Sequence, residues 1–328
     1  MMRLWIFLAG SAALLLAASA ALAGEAASPQ PVVPGIWLIP GGIPPGREPD
    51  GNTVVFDAPA GLIVMDTGRH VWHRQAILDF ARVQGRPIAA IVNSHWHLDH
   101  VSGNPALRAA YPGLTVYASN AIEGALTGFL AKSAAAAKPV LDSGKLPPEA
   151  AEDLRGDIAT YENGAALKPD VVVDRSATRI VAGRKLAVNL APNAATAGDV
   201  WVYDPASRVA AVGDLVTLPA PFLDTACSAG WSAALARIAG TPFRTLIPGH
   251  GGAMTRAEFA VYRRAFDALI ACSASSRDVD ECAAGWAQAV AALPGADPAP
   301  SARAMKMARY YVKDVLRAHG GNSAECRA

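Results

Sequence analysis

Short apolar runs and helical patterns follow one another twice along the chain. Apolar runs of about four to eight residues predict strands, and apolar residues three and four positions apart predict helices. In the first half we predict strands at Ile36–Ile39, Thr53–Phe56, Leu62–Met65 and Ile88–Val92 and a helix at Trp72–Val83. In the second half we predict strands at Leu186–Leu190, Val200–Tyr203, Val209–Val212 and Arg244–Ile247 and a helix at Ser232–Ala239. Two such halves favour two sheets packed face to face with helices outside.

Two regions depart from this rhythm. Residues 120–170 contain an alanine run, Pro147-Pro148 and a helical pattern at Glu149–Tyr161. We interpret them as an insertion that is either a wall or lid of a groove or a solvated helical excursion. Residues 253–328 are wholly helical in pattern, with Phe259 and Phe266 at helical spacing. This predicts a helical C-terminal extension whose apolar stripes are packing faces.

The N-terminus has the pattern of a secretory signal peptide. A basic Arg3 precedes an apolar run from Leu4 to Ala20, and the run ends in Ala21-Leu22-Ala23, a small-x-small cleavage pattern. We predict a signal peptide at residues 1–23 and a periplasmic or secreted protein that leaves the membrane after cleavage. An uncleaved membrane anchor is the alternative, because the run approaches spanning length.

The four cysteines fit an oxidising compartment, since their number is even and none forms a metal-type C-x-x-C pair. Three pairings are possible. Cys272 with Cys282 would close a short loop between two helical patterns, and Cys227 with Cys326 would then tie the C-terminus to the body. The alternative leaves Cys227 as a free thiol.

Charge narrows the class of partner. The formal net charge is +1 and no cluster of Lys or Arg occurs, whereas binding to nucleic acid phosphates needs a concentrated basic surface. We therefore expect a small-molecule substrate and no nucleic acid. The sequence predicts no particular oligomeric state.

One segment carries most of the chemical information. The predicted strand Ile88–Val92 is followed by His95-Trp96-His97-Leu98-Asp99-His100. Imidazole and carboxylate groups are ligands of zinc, iron and copper, and three His and one Asp this close together are rare by chance. The segment therefore predicts a metal site where a strand ends at a sheet edge, with a histidine-rich loop as the alternative.

With this segment the chain resembles the metallo-β-lactamase fold superfamily, whose H-x-H-x-D-H motif it matches. The resemblance extends from about residue 35 to about residue 252 and includes Asp66-Thr67-Gly68, Gly213-Asp214 and Pro248-Gly249-His250. It implies an α/β (α+β) fold, a four-layer αβ/βα sandwich, as one domain at residues 35–252 with the insertion inside it. The helical extension would follow at residues 253–328.

The resemblance also implies two neighbouring metal positions. The first would use His95 and His97 with a share in Asp214, and the second would use Asp99, His100, Asp214 and His250. Asp66 would steady a ligand histidine without touching the metal.

One ligand that the resemblance leads us to expect is absent. The family motif H-T-x-G-D reads Ala195-Thr196-Ala197-Gly198-Asp199 in this chain, and an alanine cannot coordinate a metal. We therefore expect one tight zinc ion at the second position and a weak zinc ion, or none, at the first.

A metal site of this kind predicts hydrolysis. Zinc lowers the pKa of a bound water, so that metal-bound hydroxide can attack the carbonyl of an ester, thioester, lactone or lactam. Asp99 is the expected catalytic residue, which would orient the nucleophile and pass a proton to the leaving group. The hypothesis is an exported zinc-dependent metallo-hydrolase.

Two other functions compete with this hypothesis. One is an iron-dependent oxidoreductase of the same fold, and the other is a binding or accessory protein whose metal site has decayed. Among hydrolases, the stretch Leu223-Asp224-Thr225-Ala226-Cys227 resembles exported zinc metallohydrolases encoded beside quinoprotein dehydrogenase systems.

His70 and His73 follow Asp66-Thr67-Gly68 closely. They either overlook the metal edge and touch the substrate or are surface residues of a helix, and we favour the surface interpretation. Residues 40–49, rich in Pro and Gly, predict an irregular loop beside the groove.

Overall fold

The computed structural model describes residues 28–295 and 302–326 and contains two sheets with helices on both outer sides. The predicted signal peptide lies outside the described residues. Among the described residues, no helix is long and apolar enough to cross a membrane.

The first sheet has seven strands that pair in chain order. They are β1 Gln30–Val33, β2 Ile36–Ile39, β3 Thr53–Ala58, β4 Gly61–Met65, β5 Ile88–Val92, β6 Thr115–Ala118 and β7 Val171–Val172. Strands β1 to β4 are antiparallel, and β4 to β7 run parallel.

The second sheet has six strands in the order β13-β12-β11-β10-β9-β8. They are β8 Ala177–Val181, β9 Arg184–Pro192, β10 Gly198–Asp204, β11 Val209–Ala211, β12 Thr245–Ile247 and β13 Met254–Thr255. Only β11 and β12 are parallel in this sheet. Because β13 pairs with β12, the second sheet continues past residue 252; the domain boundaries themselves stay predictions.

The described residues form ten α-helices. They are α1 Val71–Gln84, α2 Leu98–Val101, α3 Asn104–Ala110, α4 Ala121–Thr127, α5 Phe129–Asp142, α6 Pro148–Glu162, α7 Ser228–Gly240, α8 Arg256–Ser273, α9 Val279–Val290 and α10 Ala302–Tyr310. Two 3₁₀ turns, Gly164–Leu167 and Gly213–Leu215, and a π-helical segment, Tyr311–Leu316, complete the structure.

The alternation of side chains along the strands produces four layers. On β3, Val54 and Phe56 face the core between the two sheets, whereas Val55 lies in the cluster beneath α1. A third cluster joins the outer face of the second sheet to α7, α8, α9 and α10, and it includes Trp231 and Phe266. The predicted αβ/βα sandwich with a helical C-terminal part is confirmed.

The insertion folds into α4, α5 and α6 and packs onto the histidine-rich segment. Trp96 shares an apolar cluster with Ile122 and Leu130 of the insertion. Asp153 of α6 accepts hydrogen bonds from Arg47, with Nε at 2.9 Å from Oδ1. The insertion is therefore fixed against the body of the protein and is not a solvated excursion.

Two disulfides cross-link the helical C-terminal part. Cys272 pairs with Cys282, and Cys227 pairs with Cys326 across 99 residues of sequence. The predicted pairing of Cys272 with Cys282 and of Cys227 with Cys326 is therefore present, and Cys227 is not a free thiol. The second disulfide attaches the C-terminal segment to the start of α7.

Candidate metal centre

Strand ends of both sheets bring the predicted ligands together. Asp99 and His100 lie in the short helix α2, one turn beyond β5. Asp214 follows β11, and His250 follows the neighbouring parallel strand β12. Gly249 is required beside them, because a Cβ there would lie 2.0 Å from Asp214 Oδ1.

Four of the predicted ligands converge on one small volume. His100 Nε2 is 3.2 Å from Asp214 Oδ1 and 3.5 Å from Asp99 Oδ2. His250 Nε2 is 3.0 Å from Asp99 Oδ2 and 3.5 Å from Asp214 Oδ1. All four side chains, two imidazoles and two carboxylates, are buried.

The donor atoms fit a divalent cation. His95 Nε2, His100 Nε2 and Asp214 Oδ1 are buried and have no hydrogen-bond partner, and buried polar atoms are normally satisfied. His95 Nε2 lies 3.8 Å from Asp214 Oδ2. A metal ion would satisfy all three atoms, and the mixed nitrogen and oxygen donor set suits zinc.

Asp66 orients two of the histidines. Its Oδ2 is 2.9 Å from His100 Nδ1 and accepts a 2.6 Å hydrogen bond from Ser94 Oγ. Because the Ser94 proton points to Asp66, the 2.9 Å contact between His95 Nδ1 and Ser94 Oγ must use the proton of His95. Both imidazoles therefore turn an Nε2 lone pair toward the centre. Sequence reasoning did not find Ser94, which lies just before the motif.

The carboxylates and imidazoles of the cluster stabilise each other's ionised forms. Burial opposes the ionised forms, but His100 and His250 outweigh it and hold the pKa of Asp214 below its usual range. Likewise, Asp214 and Asp99 outweigh burial and raise the pKa of His100 and of His250. Without a metal ion, the two buried carboxylates are neutralised by protons on the two imidazoles. A divalent cation would supply the same two positive charges in place of these protons.

His97 stands apart from this cluster. Among the described residues, two groups of side chains could hold a metal ion: His95 with His100 and Asp214, and Asp99 with His100 and His250. His97 belongs to neither group, and its Nε2 lies 3.0 Å from Thr225 Oγ1. The Thr225 hydroxyl donates to the carbonyl oxygen of Ala195 at 2.8 Å. Its only proton is thus used, so His97 Nε2 must donate. Burial lowers the pKa of His97 to about 4, so the ring is neutral.

His70 and His73 are buried, which makes the surface interpretation wrong. His70 lies between two carboxylates, with Nδ1 at 2.7 Å from Asp50 and Nε2 at 3.0 Å from Asp153. His73 Nε2 is 2.8 Å from Thr53 Oγ1. Both contribute to the attachment of α1 and α6, and they are not among the residues that line the groove.

A groove opens over the metal centre. It has a volume of about 300 Å³, and Asp99, Asp214 and His250 line its floor. Pro49 of the Pro- and Gly-rich loop, Phe129 of the insertion and other side chains form the walls. The insertion is thus a wall of the groove.

Known proteins resemble parts of this chain. A segment of 50 residues is 42% identical to the linear primary-alkylsulfatase of Pseudomonas sp. and covers 15% of this chain and 10% of that relative. A segment of 44 residues is 50% identical to a hydroxyacylglutathione hydrolase of Gloeobacter violaceus and covers 13% and 18%, respectively. The matching segments span only a small part of these relatives.

Solved structures share the fold. A metallo-beta-lactamase from Pontibacter korlensis superposes with a TM-score of 0.52 and 18% identity, covering 71% of this chain and 95% of that protein. The sec-alkylsulfatase Pisa1 from Pseudomonas sp. gives a TM-score of 0.60 and 20% identity, covering 87% of this chain and 50% of that protein.

The family model of the metallo-beta-lactamase superfamily matches residues 46–250. This stretch exceeds half of the chain and contains the whole donor set described above. The chain belongs to the metallo-beta-lactamase superfamily.

Proposed function

We propose that the protein is an exported zinc-dependent hydrolase that cleaves an ester, thioester, lactone or lactam. The observation that carries this proposal is the convergence of Asp99, His100, Asp214 and His250 at the floor of the groove. A substrate in the groove would lie directly against this donor set. Family membership agrees with a hydrolase.

Zinc held by these four residues would act as a Lewis acid toward water and toward the substrate carbonyl. Asp99 borders both the donor set and the groove. Its carboxylate is ionised, because His100 and His250 outweigh burial and hold its pKa well below the usual range. We propose that it accepts the proton of the attacking water and delivers it to the leaving atom.

The unequal geometry supports one tight zinc ion. Asp99, His100, Asp214 and His250 converge on one position, His95 forms a second possible metal-holding group with His100 and Asp214, and His97 is turned to Thr225. A catalytic zinc ion needs about three protein ligands and an open position. A second ion near His95 and His97 would be weakly held.

Elemental analysis and a chelation assay test the proposal together. The purified protein should contain about one equivalent of zinc. A chelator should remove whatever turnover it shows in a screen of chromogenic esters, a thioester, a lactone and a cephalosporin. Stoichiometric iron would favour the oxidoreductase alternative. Turnover that survives complete metal removal would refute a metal-dependent hydrolase, and a metal-free, inactive protein would favour the decayed site.

Export is the second part of the proposal. Both disulfides are compatible with an oxidising compartment, and the signal-peptide pattern ends at Ala23. N-terminal sequencing of protein recovered from the producing cell should begin near Gly24. A chain that retains its first residues and stays with the membrane would support the anchor instead.

A further inference from the structure

The walls of the groove come from parts of the chain that lie far apart in sequence. The histidine-rich segment supplies Trp96, the insertion supplies Phe129, and the loop after Asp214 supplies Phe222. Helix α10 supplies Met307, which lies beyond the residues matched by the family. The insertion and the C-terminal extension therefore shape the groove as well as covering the sandwich.

These wall residues pack in a fixed arrangement. The rings of Trp96 and Phe129 are 5.5 Å apart, and those of His97 and Phe222 are 4.9 Å apart. Tyr311, which follows α10, supports Phe222 from behind with ring centroids 6.2 Å apart. Such contacts leave an apolar recess beside the donor set.

Several polar groups of the lining have partners in the protein, although the buried Arg69 Nε and Asp157 Oδ1 have none. Arg69 is the single Lys or Arg among the described residues that line the groove, and its Nη1 lies 2.5 Å from Asp157 Oδ2. Thr217 Oγ1 donates to the carbonyl oxygen of Asp214 at 2.9 Å. Burial raises the pKa of Asp157 to about 6 against the opposing effect of Arg69. An anionic substrate would therefore meet a single lining Arg that is already ion-paired to Asp157, with the carboxyl group of Glu48 also in the lining.

We propose that this groove binds an uncharged, apolar acyl or alkyl group of the substrate, and that Phe129 and Met307 set the length it accepts. The inference rests on the proposed hydrolase function and names its substrate class. A volume of about 300 Å³ is at the lower end of the range for ligand pockets. Groups of medium length fill it, and longer ones extend into solvent.

Binding of non-hydrolysable probes separates this inference from the proposed function. The probes are n-alkyl hydroxamates, from acetohydroxamate to dodecanohydroxamate, titrated into the zinc-loaded full chain by calorimetry. A second series of 1-alkanols needs no metal contact. Each added methylene should tighten binding about fourfold, the equivalent of ~0.8 kcal/mol of burial, and the gain should stop at medium length, once the chain fills the groove.

Variants test the two named residues. Phe129→Ala and Met307→Ala should each move the point at which affinity levels off to longer chains. Ser133→Phe, on the groove side of the same helix as Phe129, should move it to shorter chains. Val140→Ala is the matched control, because Val140 is 48% exposed on that helix and does not line the groove. Thermal melting establishes that each variant folds.

The outcomes are distinct. Affinity that does not grow with chain length in either series overturns the inference. The inference also fails if affinity levels off at the same chain length in Val140→Ala and in all three groove variants. Hydroxamates carrying a terminal carboxylate should bind at least about tenfold more weakly than methyl-terminated chains of equal length, and equal or tighter binding contradicts an uncharged ligand. If the affinity of the alkanols grows with chain length but hydroxamates bind no better than alkanols of equal length, the apolar groove is supported. The same result would argue against the zinc site.

Discussion

The two sides of the metal centre differ in how their side chains are held. On one side Asp99, His100, Asp214 and His250 meet within hydrogen-bond distance, and Asp66 fixes His100 from behind. On the other side His97 bonds to Thr225, and the backbone of Ala195 accepts the hydrogen bond of that threonine. His100 Nε2 and Asp214 Oδ1 on the first side have no hydrogen-bond partner, whereas His97 Nε2 is paired with Thr225.

The difference shows how a lost ligand can be accommodated. When position 195 carries no imidazole, His97 can pair with a neighbouring hydroxyl at little cost, because a neutral hydrogen bond satisfies its buried ring nitrogen. The carboxylates Asp99 and Asp214 have no such substitute, because buried charge must be matched by charge. We therefore expect zinc binding and activity to depend far more on the side of Asp99 and Asp214 than on the side of His97.

Asp214→Ala should have the largest effect, since its carboxylate touches both His100 and His250. Loss of metal chemistry worth several kcal/mol lowers kcat/KM by roughly a thousandfold or more. Steady-state kinetics and bound zinc measured on the same preparation check this. A variant that loses zinc but keeps turnover would break the link between the donor set and activity.

A matched pair of histidine variants compares the two sides directly. His250→Ala should lower kcat/KM by about a hundredfold or more, because it removes a ligand of the tight position. His97→Ala should lower it by less than about tenfold, because its ring is held by Thr225. Equal losses in the two variants would mean that the sides are equivalent.

Asp66→Asn should have a smaller effect, because Asp66 orients His100 and, through Ser94, His95. We expect zinc affinity to fall about 10- to 100-fold with the fold retained. Competition with a chromogenic zinc chelator measures this. Asp79→Asn serves as the control, because Asp79 is an exposed residue of α1; a similar loss in that variant would remove the orienting role.

Local patterns in the sequence predict the strands and the donor set. The runs at Ile36–Ile39 and Ile88–Val92 have the predicted bounds, because continuous apolar residues buried on both faces leave few alternatives. Strand β1 was not predicted, because it is a short strand with exposed residues at the sheet edge. Helix α5 was not predicted either, since an alanine run followed by Pro139 has no clear apolar face.

The features that the sequence does not predict depend on contacts between residues far apart in the chain. The burial of His70 depends on Asp50 and Asp153, which lie 20 and 83 residues away, and no local pattern indicates such partners. Thr225 meets His97 across 128 residues. The same holds for the groove, whose walls come from the insertion and the C-terminal extension. Sequence patterns can find ligands that follow strands, but not the side chains that tertiary packing brings to them.

Zinc titration of the metal-free wild type and of Ala195→His tests the unequal sides most directly. Position 195 lies next to the second side, because the carbonyl oxygen of Ala195 accepts the hydrogen bond of the threonine that pairs with His97. We expect one tight equivalent of zinc in the wild type and a second tight equivalent in the variant. Two zinc ions bound with similar high affinity by the wild type would contradict this expectation.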